Sequence, residues 1–366
     1  MNNRRKFLSH TGAAALGATF PFGLLHAATP LTVGFVYVGP RDDYGYNQSH
    51  AQAAAILKKI PGIKVIEEEN VPETNVAQKV MEAMIVQDGA SLIFATSYGY
   101  FDPHVLKVAE KYPQVRIAHC GGMWTKGKHP MNAGSYFGYI DECEYLSGII
   151  AGSMSKTKKL AFVAAKPIPQ ALRNINAFTL GAQSVDPSIT THVVFTGDWS
   201  MPVKEAEAAN SLMDQGCDVI TCHVDSPKVI IETAEKRGVM SCGYHTNQAA
   251  LAPKGYLTGA EWNWGTPDIE IDRAALDGKP MINFLRGGLK DNFVKMSAYN
   301  ANVSAAAKQK ADGVKARMLA GKFAIFKGPI KDNKGNTVIP AGTTLSQTDA
   351  VLEGMNYLVA GVIGQV

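Results

Sequence analysis

A chain of 366 residues, 46% hydrophobic and 19% charged, has the composition of a soluble globular protein with room for two lobes of ordinary domain size. Its formal net charge is +4, and Arg4, Arg5 and Lys6 contribute +3 of it inside a 28-residue stretch without acids, so the rest of the chain carries about +1. That near-neutrality excludes nucleic acid or an anionic membrane as a partner recruited by charge.

In chain order, the first segment reads as an export signal. Arg4-Arg5-Lys6 precedes Phe7 and Leu8, an uncharged Ala/Gly/Leu stretch runs from Thr11 to Leu25, and His26-Ala27-Ala28 ends it in small residues. Paired arginine, weakly hydrophobic middle and small-residue end are the parts of a twin-arginine signal over residues 1–28. A membrane anchor is the rival reading, but the apolar stretch is short for a span and broken by Gly and Pro. No cysteine lies near the cleavage region, which argues against a lipid anchor, and no apolar run of spanning length follows.

Short apolar runs then alternate with amphipathic ones. Strands are expected at Leu31–Val38, Ile63–Glu68, Leu92–Ala95 and Arg116–His119, and helices at Ser49–Ile60, Thr74–Asp88 and Pro103–Lys111. A helix over Glu142–Met154 passes to a second array. There, strands are expected at Lys159–Ala164, His192–Thr196, Val219–Cys222 and Met240–Tyr244, with helices at Gln170–Ser184, Val203–Gln215 and Pro227–Arg237. Helices at Ile269–Leu276 and Ala301–Leu319, a hairpin around residues 332–336 and a helix starting near Asp349 complete the chain. Strict alternation implies α/β lobes built on parallel sheets. The expected division is 29–140 plus about 260–310 for one lobe and 141–259 plus about 311–366 for the other. Five cysteines, at 120, 143, 217, 222 and 242, show no metal or redox spacing. They read as buried thiols, with a disulfide left open.

In open α/β sheets ligands bind beyond the carboxyl ends of strands, and here those ends are aromatic and polar. The first strand leads to Tyr37, Tyr44, Tyr46 and Asn47; the strand at 92–95 leads to Tyr98; Trp124 follows Cys120. In the second array Trp199, Asp225 and His245 follow strands, and Glu261 and Trp262 follow the segment 256–259. These eleven residues are the candidate ligand contacts. Rings from both lobes would sandwich a flat ligand, and Asn47, Asp225, His245 and Glu261 would read its edge by directional hydrogen bonds. No nucleophile elbow, P-loop or His-Glu-x-x-His occurs, no acid completes a calcium site around Asp42-Asp43, and no cofactor is implied.

Four segments, in order, resemble the basic membrane protein family of periplasmic solute-binding proteins: Asp43-Tyr44-Gly45-Tyr46-Asn47-Gln48-Ser49, Glu144-Tyr145-Leu146-Ser147-Gly148, Thr196-Gly197-Asp198-Trp199-Ser200-Met201-Pro202-Val203-Lys204 and Asp214-Gln215-Gly216-Cys217-Asp218-Val219-Ile220. The resemblance implies a type I periplasmic binding protein with two Rossmann-like lobes joined by three crossings, acting as a monomer that serves an ABC permease without catalysis. In the nucleoside-binding branch two aromatics stack the base, and by position these are Tyr46 and Trp199. The branch's three charged contacts, of which the last two serve the ribose, are replaced here by Tyr37, the stretch Gly243-Tyr244-His245-Thr246-Asn247-Gln248 and Glu261-Trp262. The expectation is therefore a free purine base, adenine-like, with a nucleoside or another heterocycle as the alternative ligand. Sensing as well as transport, and a nucleobase-acting enzyme, stand as rival roles; a DNA-binding repressor would need a helix-turn-helix where the export signal sits.

Overall fold

The computed structural model describes residues 30–366, and the reading of residues 1–28 as a signal lies outside the described residues. Apolar runs of four to six residues form β1 (Leu31–Val36), β2 (Ile63–Glu68), β3 (Leu92–Ala95) and β4 (Arg116–Cys120), followed by β5 (Ala133–Gly138). Between them lie α1 (Tyr46–Leu57), α2 (Asn75–Val86) and α3 (Leu106–Lys111). β3 is buried along its whole length, whereas the edge strand β2 alternates with exposed residues. Continuous apolar runs are what a central strand covered on both faces requires.

α4 (Asp141–Met154) then leads to β6 (Lys159–Ala164), α5 (Pro169–Gln183), β7 (Thr190–Phe195), α6 (Pro202–Asp214), β8 (Val219–His223), α7 (Lys228–Lys236), β9 (Met240–His245) and β10 (Tyr256–Trp262). The remainder contributes α8 (Gly265–Leu276), β11 (Phe284–Gly287), β12 (Val294–Met296) and α9 (Ala305–Leu319). After it come the hairpin β13 (Ile330–Lys331) and β14 (Thr337–Ile339), α10 (Ala350–Glu353) and β15 (Val362–Ile363).

The first sheet has the order β11-β5-β4-β3-β1-β2 and the second β12-β10-β9-β8-β6-β7-β15. Both contain the same five-strand core order, with the first strand between the second and third. Every pairing in these two sheets is parallel except β10 with β12. The chain passes between sheets three times, after β5, after β10 and between β11 and β12. Because Val294–Met296 pairs with β10 in the second sheet, the first lobe's return segment is shorter than the span 260–310 expected from sequence.

Two differences from the sequence reading have local causes. β5 runs Ala-Gly-Ser-Tyr-Phe-Gly, a composition poor in strand formers; burial between β4 and β11 makes it a strand. The helix expected from Pro103 is helical from there, but its first turn is π, within Phe101–Val105, before α3 takes over at Leu106; Asp102, ahead of the proline, is extended at φ −116°, ψ 120°.

α1 begins on an acid. Asp43 Oδ1 accepts from the backbone N–H of Gly45 (2.8 Å) and Gln48 (2.9 Å), and Oδ2 from that of Asn47 (3.0 Å). A carboxylate there complements the helix dipole as well as its orphan donors. α8 returns to the first lobe through Trp264, which is 1% exposed, stacks on His50 of α1 at 5.0 Å and donates its indole N–H to Ser49 (3.1 Å). All five cysteines are buried and unpaired.

Candidate functional site

The two sheets face each other across a cleft lined by residues of both lobes. The first lobe supplies Tyr46 from the start of α1, Ser97 and Tyr98 beyond β3, Cys120 at the end of β4 and Phe137 in β5. The second supplies Gln170 at the start of α5, Trp199 beyond β7, His223 and Asp225 at the end of β8, Tyr244 and His245 at the end of β9 and Trp262 at the end of β10. Eight of these twelve side chains are rings. Their position at carboxyl ends of strands follows from parallel topology, which gathers all such ends on one side of each sheet.

Hydrogen bonds fix the ring orientations. Tyr46 donates its hydroxyl to the carbonyl of Thr96 (2.5 Å) and its ring meets His245 of the other lobe at 5.2 Å between centroids. His245 uses both nitrogens internally: Nε2 faces the carbonyl of Val224 at 3.0 Å, and Nδ1 accepts the indole N–H of Trp262 at 2.7 Å. It therefore carries its proton on Nε2 and offers the cleft only ring surface. Those two bonds hold it at φ 74°, the left-handed region that costs a non-glycine residue about 1–3 kcal/mol. Burial lowers its imidazole well below the usual histidine range, so it stays neutral.

His223 differs. Asn174 directs one amide hydrogen to His223 Nδ1 (3.1 Å) and the other to the Tyr244 hydroxyl (2.8 Å). With Nδ1 accepting, the ring proton sits on Nε2, an unspent donor on a cleft-lining residue. Burial pushes the His223 pKa down to about 3, so the donor is neutral. Asp225 places a half-buried carboxyl in the cleft wall without a side-chain partner among the described residues. Burial first, then Asp43, Glu73, Glu205 and Asp198, raise it well above the usual carboxylate range. Lys166 packs its ammonium 5.1 Å over the Trp199 ring and pairs with Asp198 at 2.8 Å, steadying the indole.

Of the eleven residues singled out from sequence, Tyr46, Tyr98, Trp199, Asp225, His245 and Trp262 line the cleft. Five lie elsewhere. Tyr37 is core, its hydroxyl donated to Glu67 at 3.0 Å. Tyr44 takes φ 55° and uses its backbone carbonyl. Asn47 is spent bracing the turn, bonded to Asp43 at 2.8 Å and to the Gly39 N–H at 3.1 Å. Trp124 packs on the outer core and donates to the Pro130 carbonyl at 3.0 Å. Glu261 accepts from Ser297 at 2.5 Å and pairs with Lys295 at 3.3 Å. The cleft adds Ser97, Cys120, Phe137, Gln170, His223 and Tyr244. Ser97, His223 and Tyr244 carried the same strand-end signal; Phe137 sits on the unforeseen β5, and Gln170 on a helix start that nothing in the sequence distinguishes.

Across the mouth of the cleft the lobes are joined by protein–protein bonds. Tyr46 N–H donates to the carbonyl of Asp225 (2.8 Å), Ser226 to that of Asp43 (2.6 Å), and Thr246 (3.0 Å) and Gln248 (2.7 Å) to that of Tyr44. Among the described residues no group of three or more His, Cys, Asp or Glu is placed to hold a metal ion, and no helix is long and apolar enough to cross a membrane.

Two parallel-sheet lobes meeting on a ring-lined cleft define a solute-binding receptor. The chain belongs to the PnrA-like family of ABC transporter substrate-binding proteins, whose model matches residues 31–323; this is a family of binding proteins, not of enzymes. It is 38% identical over 342 residues to a purine-binding protein of Brucella abortus (strain 2308), covering 93% of this chain and 95% of that one. It is 29% identical over 340 residues to a putative ABC transporter glucose-binding protein of Haloferax volcanii, covering 92% and 81%. An ABC transporter solute-binding protein of Conexibacter woesei has the same fold, with a TM-score of 0.67 at 20% identity over 81% of this chain and 100% of that one.

Proposed function

We propose that this protein is the periplasmic receptor for a free purine base, adenine-like, which it delivers to the permease of an ABC importer. The carrying observation is the cleft lining, in which rings from both lobes outnumber all other side chains two to one. Stacking on such rings contributes about 1–3 kcal/mol per base, and a hexose gains less from a wall with so few hydrogen-bonding groups. Ser97, one of those few, already donates its hydroxyl to Glu73 at 2.6 Å. The remaining edge groups suit a purine: the His223 N–H faces a ring nitrogen, the Asp225 carboxyl accepts from an exocyclic amine, and the Gln170 amide can do either.

His245 and Trp262, bonded to each other, line the cleft in the two stretches where the resemblance implies that the nucleoside-binding branch keeps charges for ribose. That bulk supports a base without ribose. The Brucella relative's name supports the same ligand class, and the Haloferax relative's name the hexose it competes with. Export by the twin-arginine route, in folded form, belongs to this reading and is checked by the N-terminal mass of the exported protein.

Mass spectrometry of small molecules released from denatured protein, followed by calorimetry with adenine, guanine, xanthine, adenosine and glucose, tests the ligand. Adenine is expected to bind, and more tightly than adenosine. Tight adenosine or glucose binding with no response to any free base overturns the proposal.

A further inference from the structure

Two histidines line the cleft, and their protons are placed differently. His245 spends both ring nitrogens inside the protein. His223 spends one: its Nδ1 meets Asn174 Nδ2 at 3.1 Å and the Tyr244 hydroxyl at 3.3 Å, while Nε2 has no partner among the described residues. Asn174 itself is 3% exposed and does not line the cleft. It stands on α5 one turn beyond Gln170, which does, so the helix puts one amide at the cleft and a second behind it.

A neutral imidazole carries its one proton on Nδ1 or on Nε2, and the two forms present opposite chemistry to a ligand. Burial holds His223 in the neutral state, its pKa pushed down to about 3. The groups around Nδ1 select between the forms. Asn174 donates toward Nδ1 and also to the Tyr244 oxygen at 2.8 Å, which leaves the tyrosine's own hydrogen free to point at Nδ1. Both neighbours are therefore donors, and a proton on Nδ1 would face their hydrogens. Nε2–H is the form they allow. The His223 ring lies 6.3 Å from that of Trp199, in reach of a base stacked on the indole.

We propose that Asn174 is a specificity-determining residue that acts without lining the cleft: by donating to His223 it fixes the Nε2–H form and obliges the ligand to bring an unprotonated ring nitrogen to that point. The inference rests on the purine reading and deepens it. Adenine offers such nitrogens at N1, N3 and N7. An analogue with C–H in place of the one that meets His223 leaves a desolvated donor unpaired, the circumstance in which a site rejects a near-isostere most strongly. Tyr244 shares the network but also lines the cleft, so Asn174 is the member whose effect can be read separately.

15N NMR of the full mature protein, labelled at histidine, reads the proton directly, with the His223 signals identified by their loss in His223→Gln. Nε2 protonated and Nδ1 bare is expected; the reverse overturns the inference whatever the ligand proves to be. In Asn174→Asp, of the same shape but accepting where asparagine donates, Nδ1 should take up a proton, and an unchanged spectrum refutes the role of Asn174. Calorimetry then compares adenine with its 1-, 3- and 7-deaza analogues, one of which is expected to bind about tenfold or more weakly than adenine. In Asn174→Leu, which cannot donate, that ratio should shrink by about threefold or more, whereas a folding defect weakens both ligands alike; an unchanged ratio again counts against Asn174. If adenine binds and all three analogues match it, no ring nitrogen is read, and the inference falls while the purine reading stands. If no purine binds, both fall together.

Discussion

Gly45→Ala tests closure without touching a ligand-facing side chain. Gly45 lies in the first lobe between Tyr44 and Tyr46. A Cβ built on it would stand 1.9 Å from the carbonyl oxygen of Asp225 and 2.7 Å from Pro227 Cδ, both in the second lobe. The obstructing atom is backbone, so no rotamer relieves the overlap, and the lobes must separate by more than 1 Å to restore van der Waals contact. That movement breaks the four bonds at the mouth of the cleft: Tyr46 to Asp225, Ser226 to Asp43, and Thr246 and Gln248 to Tyr44. At about 1 kcal/mol net each, their loss disfavours the closed form by about 4 kcal/mol. A ligand that needs the closed form then binds about a thousandfold more weakly, because apparent affinity scales with the competent fraction. The clash is between lobes and not inside either, so thermal unfolding without ligand should move little. Calorimetry with adenine gives the affinity, and small-angle scattering with and without ligand gives the closure. Unchanged affinity and unchanged compaction would refute the clamp as drawn here.

Three further outcomes follow from the same contacts. Trp199→Ala removes one stacking face and should cost about 1–3 kcal/mol of purine binding, roughly 5- to 150-fold by calorimetry, with little change in stability. Trp264→Ala should do the reverse: the ring is 1% exposed and lies outside the cleft lining, so about 3–5 kcal/mol of stability goes in urea unfolding. The stability of ligand-free protein should peak between about pH 4.5 and 6.5 and fall on both sides. Burial holds His119 and His223 neutral down to about pH 3, so below pH 6.5 the unfolded chain takes up protons that the native one refuses, and stability drops with pH. Glu142, raised by burial to about 7, and Asp272, raised to about 8, keep protons the unfolded chain has lost, so stability drops as pH rises toward 8. Each group contributes at most about 1.4 kcal/mol per pH unit in its window, and a Tm that climbs steadily from pH 5 to pH 8 would contradict the balance.

The two-lobed architecture was legible because each central strand is buried on both faces and must be an uninterrupted apolar run. The central strands β3 and β6 occupy the same residues that their sequence runs suggest, as does the edge strand β2 despite its mixed composition. What escaped were strands whose existence depends on neighbours. β5 is rich in Gly and Ser, β11 has four residues and β12 three; none carries a local signal strong enough to stand alone. Missing them left the second and third crossings, expected near residues 260 and 310, without strands to fix their positions, so the extent of the first lobe's return segment was not legible.

The cleft was half legible, and the failures have one geometric origin. A strand-end rule says where along the chain to look but not which way a side chain points. On β10 the neighbours Glu261 and Trp262 must face opposite sides of the sheet. The indole takes the cleft side, where His245 receives its N–H; the carboxylate takes the other, where Ser297 and Lys295 meet it. Choosing both from sequence guaranteed one error. At the end of β9 the same alternation would allow only one of Tyr244 and His245 into the cleft, yet both line it, because His245 leaves the strand conformation at φ 74° and turns its ring back beside the tyrosine, 3.9 Å between centroids. A non-glycine residue held at positive φ is a tertiary outcome, imposed by the Val224 carbonyl and the Trp262 indole. No pattern within residues 240–248 encodes it, and it sets the shape of the wall against which the ligand ring would lie.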